Sequence, residues 1–287
     1  MHVRDFTSDL SIKDELHHRF GTFEAMTEKL DYIQSLGVTH VQLLPVLSYY
    51  HANEYATGER FLEYKSSWTN YNWGYDPMHY FALTGMYSIN PENPSSRIGE
   101  FKELVNEIHK RGMGVTLDVV YNTTAELHIL EDLEPEYYHF MNKDGSSRTN
   151  FGGGRLGSTH YMTRRLIIDS MKYLVEEFKI DGFRFDMMGD LDAETVQMAY
   201  DETAKINPDI LMIGEGWITY VGDEKANDVQ AADQHWMKDT ESVGSFSDEI
   251  RNELKSGFQS EGMPRFITGG RRKVYKIFYN IKVKTLE

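Results

Sequence analysis

Apolar residues recur along the chain in one repeated theme: a stripe at helical spacing, a glycine, then a short continuous apolar run. Phe23, Met26, Leu30 and Ile33 fall three and four apart and predict one helix face. Gly37 follows, where a helix C-terminus wants a left-handed residue, and residues 38–46 predict a buried strand. The theme returns with Phe101, Leu104, Val105 and Ile108, then Gly112, then a strand from Gly114 to Val120. It returns again with Leu166, Ile167, Leu174, Val175 and Phe178, followed by a strand over Gly182–Asp186. A fourth pass predicts a helix near 193–205 and a strand over Ile210–Glu215. Residues 1–5 predict a clipped first strand and residues 242–248 a sixth. Beyond them come Pro264–Gly270 and a helical stripe at Val274, Ile277, Phe278 and Ile281.

Helix–strand alternation with continuous apolar strands predicts a parallel sheet covered by helices. An open doubly wound sheet and a closed barrel both fit that pattern. No GxGxxG or phosphate loop follows a strand, which takes support from the nucleotide-binding versions. Asp118, Asp186 and Glu215 instead end strands, and in a (β/α)8 barrel those ends converge on the face where active sites are built. The fold class is therefore read as α/β, a (β/α)8 TIM-type barrel represented by about six β/α units, in one domain over residues 1–287. Six strands of eight do not close a barrel, so unpaired edges and exposed apolar flanks are expected. Long insertions follow strands 2 and 3: residues 47–99, rich in Tyr, Trp, Asn and Pro, and residues 121–162, with the run Phe151-Gly-Gly-Gly-Arg155. Loops of that length read as substrate walls, with a plain surface excursion as the alternative.

Charge narrows the partners. The 287 residues carry 30 basic and 45 acidic side chains, a net charge of −15, so phosphate-rich nucleic acid is repelled. A neutral polysaccharide meets no such penalty. No apolar stretch is long enough to span a membrane and no signal-peptide pattern opens the chain, so a soluble protein is expected, with cytoplasm or exterior undecided. The absence of cysteine excludes disulfides and thiolate metal sites. Eighteen Tyr and four Trp suit sugar binding, although core packing explains most aromatics in most proteins.

Asp186 and Glu215 end successive strands and would be neighbours on the rim. Glycoside hydrolysis needs such a pair, one member able to donate a proton. That chemistry calls for Glu215 to be raised by burial and for Asp186 to be kept ionised by a cation. Arg184, two residues before Asp186, faces the same side of its strand and can supply it. The bland reading of a strand-end carboxylate is a helix N-cap.

The segments Asp118-Val-Val-Tyr-Asn122, Gly182-Phe-Arg-Phe-Asp186 and Gly214-Glu-Gly-Trp217 resemble, in order and spacing, the first three conserved regions of the α-amylase superfamily of glycoside hydrolases. Tyr71-Asn-Trp-Gly-Tyr-Asp-Pro77 resembles the signature of its type I pullulanases. The resemblance implies a retaining hydrolase of α-1,6 branch linkages in pullulan, glycogen or amylopectin. It implies Asp186 as nucleophile, Glu215 as acid/base, Arg184 as the nucleophile's cation, and Asp118 and Asn122 as its supports. It further implies Tyr75 stacked under the sugar, while Trp73 and Trp217 either wall the cleft or pack the loops. No cofactor is implied. Some superfamily members hold a structural Ca²⁺, for which no ligand spacing is assignable here. Two departures stand out: Thr123 occupies the place of a His that contacts the sugar, and the fourth region, a His-Asp pair, is absent. They motivate an inactive glucan-binding fragment as one alternative. An α-1,4-acting relative is another, against which the Tyr71–Pro77 signature argues, and a barrel enzyme on an unrelated metabolite is kept because fold does not fix function.

Overall fold

The four long apolar runs form parallel strands, and their register decides which side chains meet. A computed structural model describes residues 1–57, 70–226, 228–255 and 262–270. The strands among them are β1 (His40–Leu43), β2 (Gly114–Val119), the hairpin arms β3 (Thr149–Asn150) and β4 (Gly153–Gly154), β5 (Gly182–Phe185), β6 (Leu211–Gly214) and β7 (Gly244–Ser245). The main sheet runs β1-β2-β5-β6-β7, with β1, β2, β5 and β6 joined in parallel. This is the parallel α/β arrangement expected, and among the described residues it is an open sheet rather than a closed ring.

Register sets Asp118 opposite Arg184 and Arg184 opposite Ile213. The ladder continues one step past the strand ends: the Asp186 N–H donates to Val119 O at 2.9 Å and the Glu215 N–H to Phe185 O at 3.1 Å. Both carboxylates therefore leave the sheet at the same level.

The helices among the described residues are α1 (Val3–Phe6), α2 (Phe23–Thr27), α3 (Leu30–Ser35), α4 (Pro94–Lys110), α5 (His128–Glu131), α6 (Tyr161–Phe178), α7 (Ala193–Ala204) and α8 (Asp248–Leu254). Local chemistry sets their ends. Asn93 accepts the Ser95 N–H and Pro94 opens α4 at a position where its missing N–H costs nothing. Asp192 accepts the Thr195 N–H at the start of α7.

Four expectations change. The first strand shrinks to Met1, whose carbonyl accepts the Leu44 N–H at 2.9 Å; α1 then begins, capped by the His2 ring accepting the Asp5 N–H. The single helix expected over 23–33 is two, α2 and α3, because Lys29 leaves the helical region between them (φ −108°, ψ 8°). The sixth strand is only Gly244–Ser245, since Ser247 caps α8 by accepting the Ile250 N–H. The insertions are shorter and more structured than expected: α4 takes residues from Pro94 onward, and 121–162 contains α5, the hairpin and the start of α6. The stripe at 274–281, like residues 58–69 of the first insertion, lies outside the described residues.

The chain divides into two compact units, Met1–Gly244 and Ser245–Glu287. In the second, α8 precedes a 3-10 turn at Phe266–Thr268, with Arg265 3.7 Å from Glu253. In the first, the aromatic core joins the helices that back the sheet. Phe101 of α4 lies 5.0 Å from Phe23 of α2 and 5.2 Å from Phe178 of α6, and Phe23 and Phe101 are fully buried. Phe101→Ala is expected to cost about 3–5 kcal/mol of unfolding free energy, read from the urea midpoint. Leu36→Ala, on an exposed site, is expected to stay within about 0.5 kcal/mol of the parent.

Candidate active site

Arg184 gathers the strand-end carboxylates. Its Nη1 donates to Asp118 Oδ1 at 2.8 Å and to Asp186 Oδ1 at 3.0 Å, and its Nη2 lies 2.7 Å from Glu215 Oε1. The Tyr75 hydroxyl completes the group by donating to Asp118 Oδ2 at 2.7 Å. Asp118 and Arg184 are buried, while Asp186, Glu215 and Tyr75 keep partial access to solvent. Glu215 is steadied further by the Met187 N–H, 3.2 Å from its Oε2, and its backbone carbonyl accepts the Gly189 N–H at 3.0 Å.

One guanidinium among three carboxylates leaves the group with excess negative charge. Burial works against the Arg184 charge, yet Asp118, Glu215 and Asp186 hold its proton more tightly than usual. Burial raises the Asp118 carboxyl. Burial also pushes Asp186 up to about 7, with Glu215 and Asp118 adding to the rise against the pull of Arg184. Arg184 thus acts in the direction expected, favouring the ionised Asp186, while burial acts against it. At Asp118 and Asp186 the Arg184 charge offsets only part of the rise that burial causes.

The rest of the expected set is placed unevenly. Asn122 is buried beyond the end of β2 with neither end of its amide hydrogen-bonded, while its backbone carbonyl accepts the Leu156 N–H. Thr123 turns away from the group: its hydroxyl faces the carbonyls of Thr124, Asn150 and Gly154 at 3.1, 3.3 and 3.1 Å. Trp73 is exposed, its indole N–H donating to the Tyr71 hydroxyl. Trp217 is half-buried, and its carbonyl crowds Gly189 so closely that a Cβ there would lie 1.7 Å from it.

Two features escaped the sequence reading. Met187, directly after Asp186, has left-handed backbone (φ 44°), the conformation that aims its N–H at Glu215. Asp190 is buried and takes Arg155 at 3.1 Å on Oδ1 and the Asn150 amide at 3.2 Å on Oδ2. These bonds dock the β3–β4 hairpin onto the turn after Asp186. The glycine run was the available signal: a Cβ at Gly153 would sit 1.6 Å from Thr124 O, so the run marks close backbone approach. Among the described residues no group of three or more His, Cys, Asp or Glu is disposed to hold a metal ion, and no helix is long and apolar enough to cross a membrane.

A parallel α/β sheet with an arginine-bridged carboxylate pair at its strand ends defines a class of carbohydrate-active catalytic domain, and comparison with known proteins agrees. The α-amylase catalytic-domain family matches residues 9–148. The chain belongs to the α-amylase superfamily of glycoside hydrolases. Within it, the chain is similar to pullulanases. It is 63% identical over 280 residues to pullulanase A of Streptococcus pneumoniae, covering 98% of this chain and 22% of that protein. It is 38% identical over 199 residues to the pullulanase of Bacillus subtilis, covering 68% of this chain and 26% of that one. The solved catalytic module of the glycogen-degrading pneumococcal virulence factor SpuA superposes with a TM-score of 0.95 at 63% identity, covering 98% of this chain and 39% of that one. The Group B Streptococcus pullulanase SAP does so at 0.95 and 62%, covering 98% and 36%. The chain thus spans well under half the length of each of these relatives.

The raised Asp186 has a consequence for stability. A carboxyl raised from an ordinary value near 3.8 to about 7 contributes stability that is full below the lower value and lost as pH rises through the upper one. Asn at this position has no charge to bury. Asp186→Asn is therefore expected to be more stable than the parent at pH 8, by roughly 1–3 kcal/mol, the gain vanishing towards pH 4. Thermal unfolding of both proteins across pH 4–8 checks it, and a gain independent of pH contradicts it.

Proposed function

We propose that this chain carries the nucleophile and the acid/base of a retaining glycoside hydrolase that cuts α-1,6 branch linkages in pullulan, glycogen or amylopectin. The observation that carries the reading is the shared guanidinium: Arg184 binds Asp186 through Nη1 and Glu215 through Nη2, the two carboxylates standing at the ends of adjacent strands. Retaining chemistry requires such a close pair, with the carboxyl groups about 5–5.5 Å apart.

Asp186 attacks the anomeric carbon as Glu215 passes its proton to the glycosidic oxygen, and the leaving chain departs with a free hydroxyl. Asp186 then holds the sugar as an ester. Glu215, now ionised, takes a proton from water, which attacks the same carbon and frees Asp186 with the anomeric configuration retained. The pair needs one proton between them at neutral pH, and the rise of Asp186 to about 7 supports a cluster that retains one. Arg184 favours the ionised nucleophile when that proton resides on Glu215. Tyr75, tethered to Asp118, lies under the ring as a flat apolar floor, and Asn122 offers a buried amide with both ends free for a sugar hydroxyl. The reaction uses two carboxyls and water and asks for no cofactor.

The substrate class rests on the relatives: the pneumococcal protein is described as glycogen-degrading, and the Group B Streptococcus pullulanase is solved with maltotetraose. An acidic, uncharged-polymer-tolerant surface agrees with a glucan. Thr123, turned towards the hairpin, leaves the sugar without the contact that the family His makes there.

Reducing-sugar release from pullulan and from amylose tests the reading. Release from pullulan is expected, with Asp186→Asn and Glu215→Gln each lowering it at least ~10³-fold. Release from amylose alone assigns α-1,4 cleavage instead. Retention on amylopectin without release makes the chain a binding fragment, and activity surviving in Asp186→Asn sinks the mechanism.

A further inference from the structure

We propose that Phe151 is a binding residue for the glucan beside the cleavage point, an apolar platform against which the chain packs its pyranose faces. The inference rests on the glucan-cleaving reading above. Phe151 is among the most exposed large apolar residues described, at 68%, and it stands at the turn of the β3–β4 hairpin in left-handed backbone (φ 51°). A phenyl ring gains nothing from water, and left-handed backbone disfavours any side chain but Gly, Asn or Asp. Neither burial nor turn chemistry accounts for it.

The hairpin's anchoring says where that ring is presented. Arg155, one residue past β4, bonds Asp190, four residues after Asp186, and also donates to Thr219 O at 3.4 Å, four residues after Glu215. Asn150, next to Phe151, bonds Asp190 as well. Thr123, just beyond β2, bridges to the carbonyls of Asn150 and Gly154, and Gly153 is pressed onto Thr124. The turn is thus fixed to three segments, each following a strand that supplies a carboxylate of the Arg184 group. Position relative to the chemistry follows. The hairpin is bonded to the segments beyond Asp118, Asp186 and Glu215, so its turn presents the ring beside the strand ends where the glucan is cleaved. Thr123 takes on a different task here: in place of a side chain that contacts sugar, it secures the turn that presents one.

Phe151→Ala, Phe151→Asn and Phe151→Trp separate binding from structure. Native gels containing pullulan give the affinity of each whether or not the chain turns over, and thermal unfolding gives stability. Ala and Asn are expected to weaken retardation ~5–10-fold while Trp keeps it, and Asn, suited to left-handed backbone, is expected to hold or raise Tm. In hydrolysis the loss should fall on KM with kcat nearly unchanged. Equal retardation of all variants overturns the platform while leaving the glucan reading in place. A parent that is neither retarded nor active overturns both.

Discussion

A single buried guanidinium in parallel register with a carboxylate is the constraint on which the site depends. Arg184 and Asp118 are opposite one another across β2 and β5, and side chains alternate along both strands. Slipping either strand by one residue would turn one partner into the helix layer and leave a charge buried alone, which is far costlier than any surface defect. The same register sets Asp186 and Glu215 level at the strand ends, where Arg184 reaches both. The geometry of the candidate site is a consequence of sheet geometry.

That arrangement is held against its own electrostatics. Burial raises Asp186 far above its ordinary range, and the Glu215 and Asp118 carboxylates add to the rise, so keeping this carboxylate charged works against folding. The remainder of the unit supplies the compensation: a core of Phe23, Phe101 and Phe178 behind the sheet, and loops tied down by their own ion pairs, Arg155 to Asp190 and Arg164 to Asp192. Backbone strain at Met187 belongs to the same balance, since its left-handed conformation is what brings an N–H to Glu215.

Much of this was legible from residue order. Continuous apolar runs before Asp118, Asp186 and Glu215 located the strands, and short motifs around them identified the family and nearly all the residues that the structure gathers around Arg184. Three things were not legible. The helix break at Lys29 is a local change of backbone conformation that the apolar spacing runs straight through. Strand ends at Met1 and Ser245 depend on caps, the His2 ring and Ser247, that compete with the ladder. The sharing of Arg184 among three carboxylates is a matter of distances, so the rise of Asp186 could not be read from a spacing of two.

The most direct measurement is covalent trapping. A fluorinated maltosyl fluoride, whose second step is slow, should leave a glycosyl ester on the peptide containing Asp186, found by mass spectrometry of a digest, and Asp186→Asn should abolish it. An ester on Glu215, or steady turnover of the reagent with no ester formed, would contradict the assignment.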